Sequence, residues 1–145
     1  MSDLTGSLEH CLDEKFRYRL SPAMKEKYGK NLRFTMIKGE FIMLYTESKW
    51  KELTDKLKNI PVTDDAYETV TLVQSLTYMP EFDAQNRAVL PFKLRGLAGI
   101  TKNITSVFFE DYVQIWDADK FNERIGGKDA NSVKAKLGAL KGFGI

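Results

Sequence analysis

The chain has 145 residues, 43% hydrophobic and 29% charged, which suits one compact domain or two small intertwined halves and argues against global disorder. Its net charge is only +2, so the distribution of charge, rather than its total, must speak for or against nucleic acid. A lone cysteine, Cys11, excludes an internal disulfide and points to a reducing cytosol; no apolar run approaches the ~18 residues of a membrane span, and no signal peptide is expected at the N-terminus.

In chain order, residues 4–12 read as an extended arm or first strand. Residues 16–20 alternate apolar and basic side chains, as a strand with one wet face does. Ser21 caps a short helix with Pro22 at its first position, and Gly29 ends it. Residues 32–37 and 41–45 predict a hairpin around Lys38-Gly39-Glu40. Thr46 caps a helix whose Trp50, Leu53 and Leu57 share a face, stopped by Pro61. Thr63 caps another, with Asp64 and Asp65 in its first turn and Ala66, Val70 and Val73 on its apolar side. Residues 77–82 read as a strand, 83–87 as a turn, 88–90 as a strand and 91–98 as a basic helix. A second hairpin spans 101–109 and 112–116 around Glu110-Asp111. Asp117 caps a helix to about Ile125, Gly126-Gly127 breaks it, and a weak helix covers 130–140.

This order repeats. Residues 13–29, DEKFRYRLSPAMKEKYG, correspond to residues 83–99, DAQNRAVLPFKLRGLAG: Asp13 matches Asp83, Arg17 matches Arg87, Lys25 matches Arg95 and Gly29 matches Gly99. Further on, YTESKW from Tyr45 matches WDADKF from Trp116, so the offset drifts from 70 to 71. Each unit reads strand, basic turn, strand, short helix, hairpin, helix. Such a unit is too small to close a core comfortably alone. The expected fold is therefore α+β, with two halves exchanging strands in one pseudo-two-fold barrel. The units are residues 4–60 and 77–125, joined by a helical connector at 61–76 and followed by a tail at 126–145.

Little here points to catalysis. His10 and Cys11 are adjacent, so a strand would turn them to opposite faces, and no second His or Cys completes a zinc set. No glycine-rich phosphate loop or nucleophile elbow occurs. Asp13 and Asp83 recur symmetrically, which favours a turn role in which the carboxylate accepts the backbone N–H two residues on. The basic side chains are more informative. Between residues 13 and 33, Lys15, Arg17, Arg19, Lys25, Lys27, Lys30 and Arg33 stand against Asp13, Glu14 and Glu26. Arg17 and Arg19 share a strand face, a stripe that suits phosphates, and an arginine fork matches a guanine edge. The competing interpretation is a solvated strand face with snorkelling stems.

Two Asp-x-x-x-Arg turns at matching offsets, with FIMLYTESKW, LRGLAGITK and VQIWDADKF in order around them, resemble the MraZ family of bacterial transcription regulators, built from tandem SpoVT-AbrB motifs. The resemblance covers roughly residues 4–125. It implies swapped-hairpin halves, a ring-like homo-oligomer, and no cofactor or metal. It further implies binding to double-stranded promoter repeats in the cytoplasm at the nucleoid, not at a membrane, with repression of the division and cell-wall gene cluster including the protein's own promoter. By motif, Arg17 and Arg87 are DNA-contacting candidates, with Lys15 beside the first; Arg19, Lys25 and Arg95 are further candidates for the same role. The alternatives are an AbrB-type antitoxin and a ring scaffold without DNA binding. Trp50 and Trp116, at equivalent helix starts, are expected to meet across subunits.

Phe16 stands where the family usually has glycine. A positive φ there would strain a phenylalanine, so the favoured expectation is a rearranged first turn with Phe16 at ordinary negative φ and unequal DNA contacts from the two copies.

Overall fold

The computed structural model describes residues 4–127 and 129–145. Among the described residues, seven strands form two antiparallel sheets: β1 (Ser7–Cys11), β2 (Arg17–Arg19), β3 (Arg33–Thr35), β4 (Ile42–Tyr45), β5 (Arg87–Val89), β6 (Asn103–Phe108) and β7 (Tyr112–Asp117). The larger sheet has the order β1-β6-β7-β4-β3, and β2 pairs with β5 in the smaller one. The α+β class expected from sequence is thus present, but the barrel is not closed among the described residues. Strands β1 and β3 remain separate edges. The expected strand at residues 77–82 shows why. It forms one bridge, Tyr78 to Phe34 beside β3, and Pro80 then supplies no N–H for a ladder.

Pairing runs between the halves of the chain. Tyr18 faces Ala88 across β2–β5, and Met43 faces Gln114 across β4–β7. β1, early in the chain, lies on β6, late in it, with Ser7 opposite Val107.

The helices are α1 (Pro22–Tyr28), α2 (Glu47–Lys58), α3 (Tyr67–Ser75), α4 (Phe92–Ala98), α5 (Ala118–Phe121) and α6 (Ala130–Leu137). Three caps form as the sequence predicts: Ser21 Oγ accepts from Met24 N–H at 3.2 Å, Thr46 Oγ1 from Lys49 N–H at 3.2 Å, and Asp117 Oδ2 from Lys120 N–H at 3.2 Å. Thr63 is not a cap. Asp64 Oδ1 accepts Ala66 N–H at 2.8 Å in an Asx-turn, and α3 begins only afterwards. The helix capped by Asp117 is α-helical for one turn and continues as a π-helical turn over Asn122–Gly126. Asp129 caps α6 through Ser132 N–H, and Gly138–Phe143 follows as a 3₁₀ helix.

Strand β4 shows how the core is divided. Ile42 and Leu44 join Tyr18, Phe34, Leu90, Leu94, Ile104 and Ile115 beneath α1 and α4. Met43 and Tyr45 point the other way, into a cluster of Phe41 and Trp116 closed by Trp50 and Leu53 of α2. Fully burying a side chain such as Ile42 or Leu44 contributes about 1.5–3 kcal/mol. Trp116 is buried in β7 and stacks on Phe41 at 4.7 Å, so it is not exposed for a meeting with Trp50 across subunits.

Candidate nucleic-acid interface

The two Asp-x-x-x-Arg turns have the same geometry. Asp13 Oδ1 accepts the N–H groups of Lys15 at 2.9 Å and Arg17 at 3.0 Å. Asp83 Oδ1 accepts those of Gln85 at 2.9 Å and Arg87 at 3.0 Å. Each carboxylate therefore fixes its own turn, as the sequence predicts for a symmetric Asp. The turns also lock into each other. Leu90 N–H donates to Phe16 O at 2.9 Å, and Leu20 N–H donates to Asn86 O at 2.8 Å.

Those two carbonyls belong to the residues that the turn carries through the left-handed region: Phe16 has φ 57° and Asn86 φ 61°. The expectation of a rearranged first turn is overturned. Asn tolerates this region through its short polar side chain, whereas for Phe the conformation costs about 1–2 kcal/mol. Offsetting interactions are visible. The Phe16 ring packs against the larger core cluster, and the Arg95 guanidinium lies 4.0 Å from its centroid.

At the centre sit four charges. Arg17 Nε donates to Asp13 Oδ2 at 2.6 Å, and its Nη1 lies 3.5 Å from Asp83 Oδ2. Arg87 Nε donates to Asp83 Oδ2 at 3.1 Å, and its Nη1 lies 3.8 Å from Asp13 Oδ2. Asp13 lies below the ordinary carboxylate range. Desolvation raises it, but the Arg17 N–H and side chain, the Lys15 N–H and the Arg17 charge together outweigh that effect. Asp83 is lowered first by the Arg87 N–H, against desolvation, and then by Gln85 N–H and the Arg87 side chain.

The acids orient the arginines without using up their donors. A guanidinium carries five N–H groups in a fixed fork. Among the described residues, the ion pairs engage Nε and Nη1 of Arg17 and Arg87, and none engages Nη2. Both side chains remain about a quarter exposed. Arg19 is exposed and pairs in register with Arg87, and Lys15 is exposed at the first turn. The structure thus brings Lys15, Arg17, Arg19 and Arg87 onto the β2–β5 ladder and its turns.

The helix residues are placed differently. Arg95 is half-buried, its Nε donating to Leu90 O at 3.0 Å. Lys25 is exposed and lines an open cleft of about 370 Å³ with Lys30, Asp83 and Asn86. Two other cations of the basic N-terminal stretch are engaged elsewhere: Lys27 Nζ donates to Leu4 O at 2.8 Å, and Arg33 to Asn31 O. The Phe16–Arg95 stack is absent from the sequence expectations. Its only signal was a large aromatic at a position that geometry reserves for Gly or Asn.

Other chemistry is sparse. His10 Nε2 hydrogen-bonds with Ser106 Oγ at 2.9 Å and is half-buried, while the exposed Cys11 Sγ donates to Asn103 Oδ1 at 2.8 Å. Among the described residues no group of His, Cys, Asp and Glu side chains is placed to hold a metal, and no helix is long and apolar enough to cross a membrane.

Comparison with known proteins gives a consistent answer. A family profile described as "MraZ protein, putative antitoxin-like" matches residues 75–140. The chain is similar to proteins named transcriptional regulator MraZ. One from Clostridium beijerinckii is 31% identical over 93% of this chain and 96% of its own length. One from Clostridium botulinum is 33% identical over 81% of this chain and 83% of its own. One from Syntrophomonas wolfei is 31% identical with the same two coverages.

Proposed function

We propose that this chain, which belongs to the MraZ family, is a sequence-specific, DNA-binding transcription regulator. The single observation that carries the proposal is the crossed Asp13–Arg17–Asp83–Arg87 network. Two arginine forks are oriented by acids, partly exposed, and held on one short ladder. A carboxylate that holds one side of a guanidinium leaves the other for a phosphate or a guanine edge. In this reading Arg17 and Arg87 contact DNA, flanked by Lys15, Arg19, Lys25 and Arg95.

The regulator works in the cytoplasm at the nucleoid, without catalysis, cofactor or membrane attachment. It represses the division and cell-wall gene cluster, including its own promoter, by binding repeats there. Residues 4–60 and 77–125 act as two SpoVT-AbrB-like repeats of swapped-hairpin type, with 61–76 as connector and 126–145 as tail. Exposed apolar side chains on the body, among them Leu8, Leu72, Met79 and Phe92, supply contacts for a ring-like homo-oligomer.

The test is a gel shift with duplex DNA from immediately upstream of the coding sequence, set against a random duplex of equal length. Retarded, salt-sensitive complexes that prefer the upstream duplex support the reading. An antitoxin role, which the wording of the family description favours, or a scaffold role predicts no preferential shift.

A further inference from the structure

Phe16 and Asn86 hold equivalent positions in the two turns and have nearly the same φ, yet their side chains face different partners. Because β2 pairs with β5, each turn is completed by the helix of the other half of the chain. The first turn meets α4, and the Phe16 ring lies under Arg95 with the guanidinium carbon 4.0 Å from its centroid. The same guanidinium is 5.4 Å from the Phe92 ring, and its Nε is tied to Leu90 O at 3.0 Å. Arg95 is therefore held by two aromatic faces and a carbonyl. The second turn meets α1. There Asn86 offers no ring, Lys25 is exposed, and an open cleft of about 370 Å³ lies between them.

Resting on the DNA-binding reading above, we infer that Phe16 is a positioning residue for Arg95, and that the protein grips DNA through two unequal units. One unit joins the Asp13 turn to a pre-set guanidinium. The other joins the Asp83 turn to the exposed Lys25 ammonium. The physical argument is pre-organisation. An arginine already stacked and hydrogen-bonded loses less freedom when it meets a phosphate or base edge than a free lysine does. A guanidinium also presents a directional fork, whereas an ammonium is a hydrated point charge. The Asn86 side shows that the turn itself does not need the ring: Asn reaches nearly the same φ, and its backbone carbonyl accepts the equivalent N–H, that of Leu20. A phenylalanine held in the left-handed region has its use outside the turn, and the group it touches there is a cation beside the DNA-contacting arginines.

The experiment is fluorescence anisotropy of the full chain with the upstream duplex, across a salt series. It uses Phe16→Asn, Arg95→Lys, their double variant, and Phe16→Asn combined with Lys25→Ala. Phe16→Asn and Arg95→Lys should each weaken binding, on the order of tenfold or less. Their double variant should be no worse than the weaker single one, while the losses in Phe16→Asn with Lys25→Ala should multiply. Phe16→Leu keeps an apolar side chain with the same backbone demand and no π face. It should weaken binding as Phe16→Asn does, which preserves the test if the polar variant folds poorly. Parent-like binding by both Phe16 variants overturns the inference, as do multiplying losses in the Phe16→Asn, Arg95→Lys pair. If the parent binds neither the upstream nor a random duplex, the DNA reading itself falls and this inference with it. If the parent binds and only the coupling is missing, the DNA reading stands.

Discussion

Tyr18 stands opposite Ala88 in the β2–β5 ladder, and the two are separated by the same 70 positions that separate Asp13 from Asp83. A residue that pairs with its own counterpart lies on a local two-fold axis. The same holds for Met43 and Gln114 in β4–β7 at an offset of 71. Both ladders are therefore built on the repeat, and Arg17 and Arg87, which pair crosswise with the two turn acids, directly precede the two residues of the first pair in the chain.

That pair is not chemically symmetric. Tyr18 is fully buried, and its hydroxyl hydrogen-bonds with Ser106 Oγ at 2.8 Å, which also meets His10. Burial pushes the Tyr18 phenol well above its ordinary value, with the Ser106 bond opposing, so it remains neutral at any physiological pH. Tyr18→Phe removes one buried hydrogen bond and leaves the ring in place. Chemical denaturation should show a loss of about 1–2 kcal/mol with little change in the far-UV spectrum.

Phe16→Gly sets two effects against each other. Glycine relieves about 1–2 kcal/mol of left-handed strain. The variant gives up the ring's partial burial, about 0.75–1.5 kcal/mol at half the value of a fully buried ring. It also gives up roughly 0.5–1 kcal/mol of cation–π contact and adds the ~0.5–1 kcal/mol flexibility penalty of glycine. The losses slightly exceed the gain, so a net destabilisation of about 1 kcal/mol is expected. A stabilised variant in urea denaturation would show that the ring is idle.

Three of the capped helix starts and the Asx-turns were legible in the sequence, because Ser21-Pro22, Thr46, Asp117 and the repeated Asp-x-x-x-Arg each carry a local mechanism. Three features were not. Pro80 truncates a strand whose apolar pattern looked adequate, since one missing N–H outweighs periodicity. Phe16 tolerates the left-handed turn that Asp13 fixes, with the Arg95 guanidinium of a distant helix against its ring, a long-range contact that local propensity does not encode. The turn over Asn122–Gly126 widens to π geometry, and its one glycine, the last residue, signalled a stop rather than a widened turn. At the candidate site, the two Asp-x-x-x-Arg turns were legible, but the crossed pairing of Arg17 with Asp83 and Arg87 with Asp13 appears only once β2 meets β5.

Acid should weaken the fold in two stages. Burial lowers the His10 pKa below its ordinary 6.5, so the unfolded chain takes up that proton first. The stability tied to neutral His10 is complete above about pH 6.5 and is lost as pH falls from there through the lowered native value. Asp13 and Asp83 are also lowered in the fold. Their share is complete above the ordinary carboxylate value, about 4, and is lost as pH falls below it. Urea midpoints measured against pH should show both slopes. His10→Gln should remove the upper one alone and Asp83→Asn should flatten part of the lower one; unchanged slopes in both variants would refute the assignment.

Light scattering at micromolar concentration should return a closed assembly larger than a dimer, and Arg17→Ala and Arg87→Ala should leave it intact, because neither arginine lies among the exposed apolar groups of the body. A monomer for the parent chain would remove the ring from the account.

The most direct test of the central claim is equilibrium binding of the parent, Arg17→Ala and Arg87→Ala to the upstream duplex across a salt series, with folding checked by thermal melts. The account predicts tight, salt-sensitive binding by the parent. It predicts a loss of about 1–3 kcal/mol for each variant wherever the arginine reads a base. If an arginine meets only phosphate, its variant should instead lower the salt slope by about one. Folded variants that bind the upstream duplex with the parent's affinity and the parent's salt slope would contradict it.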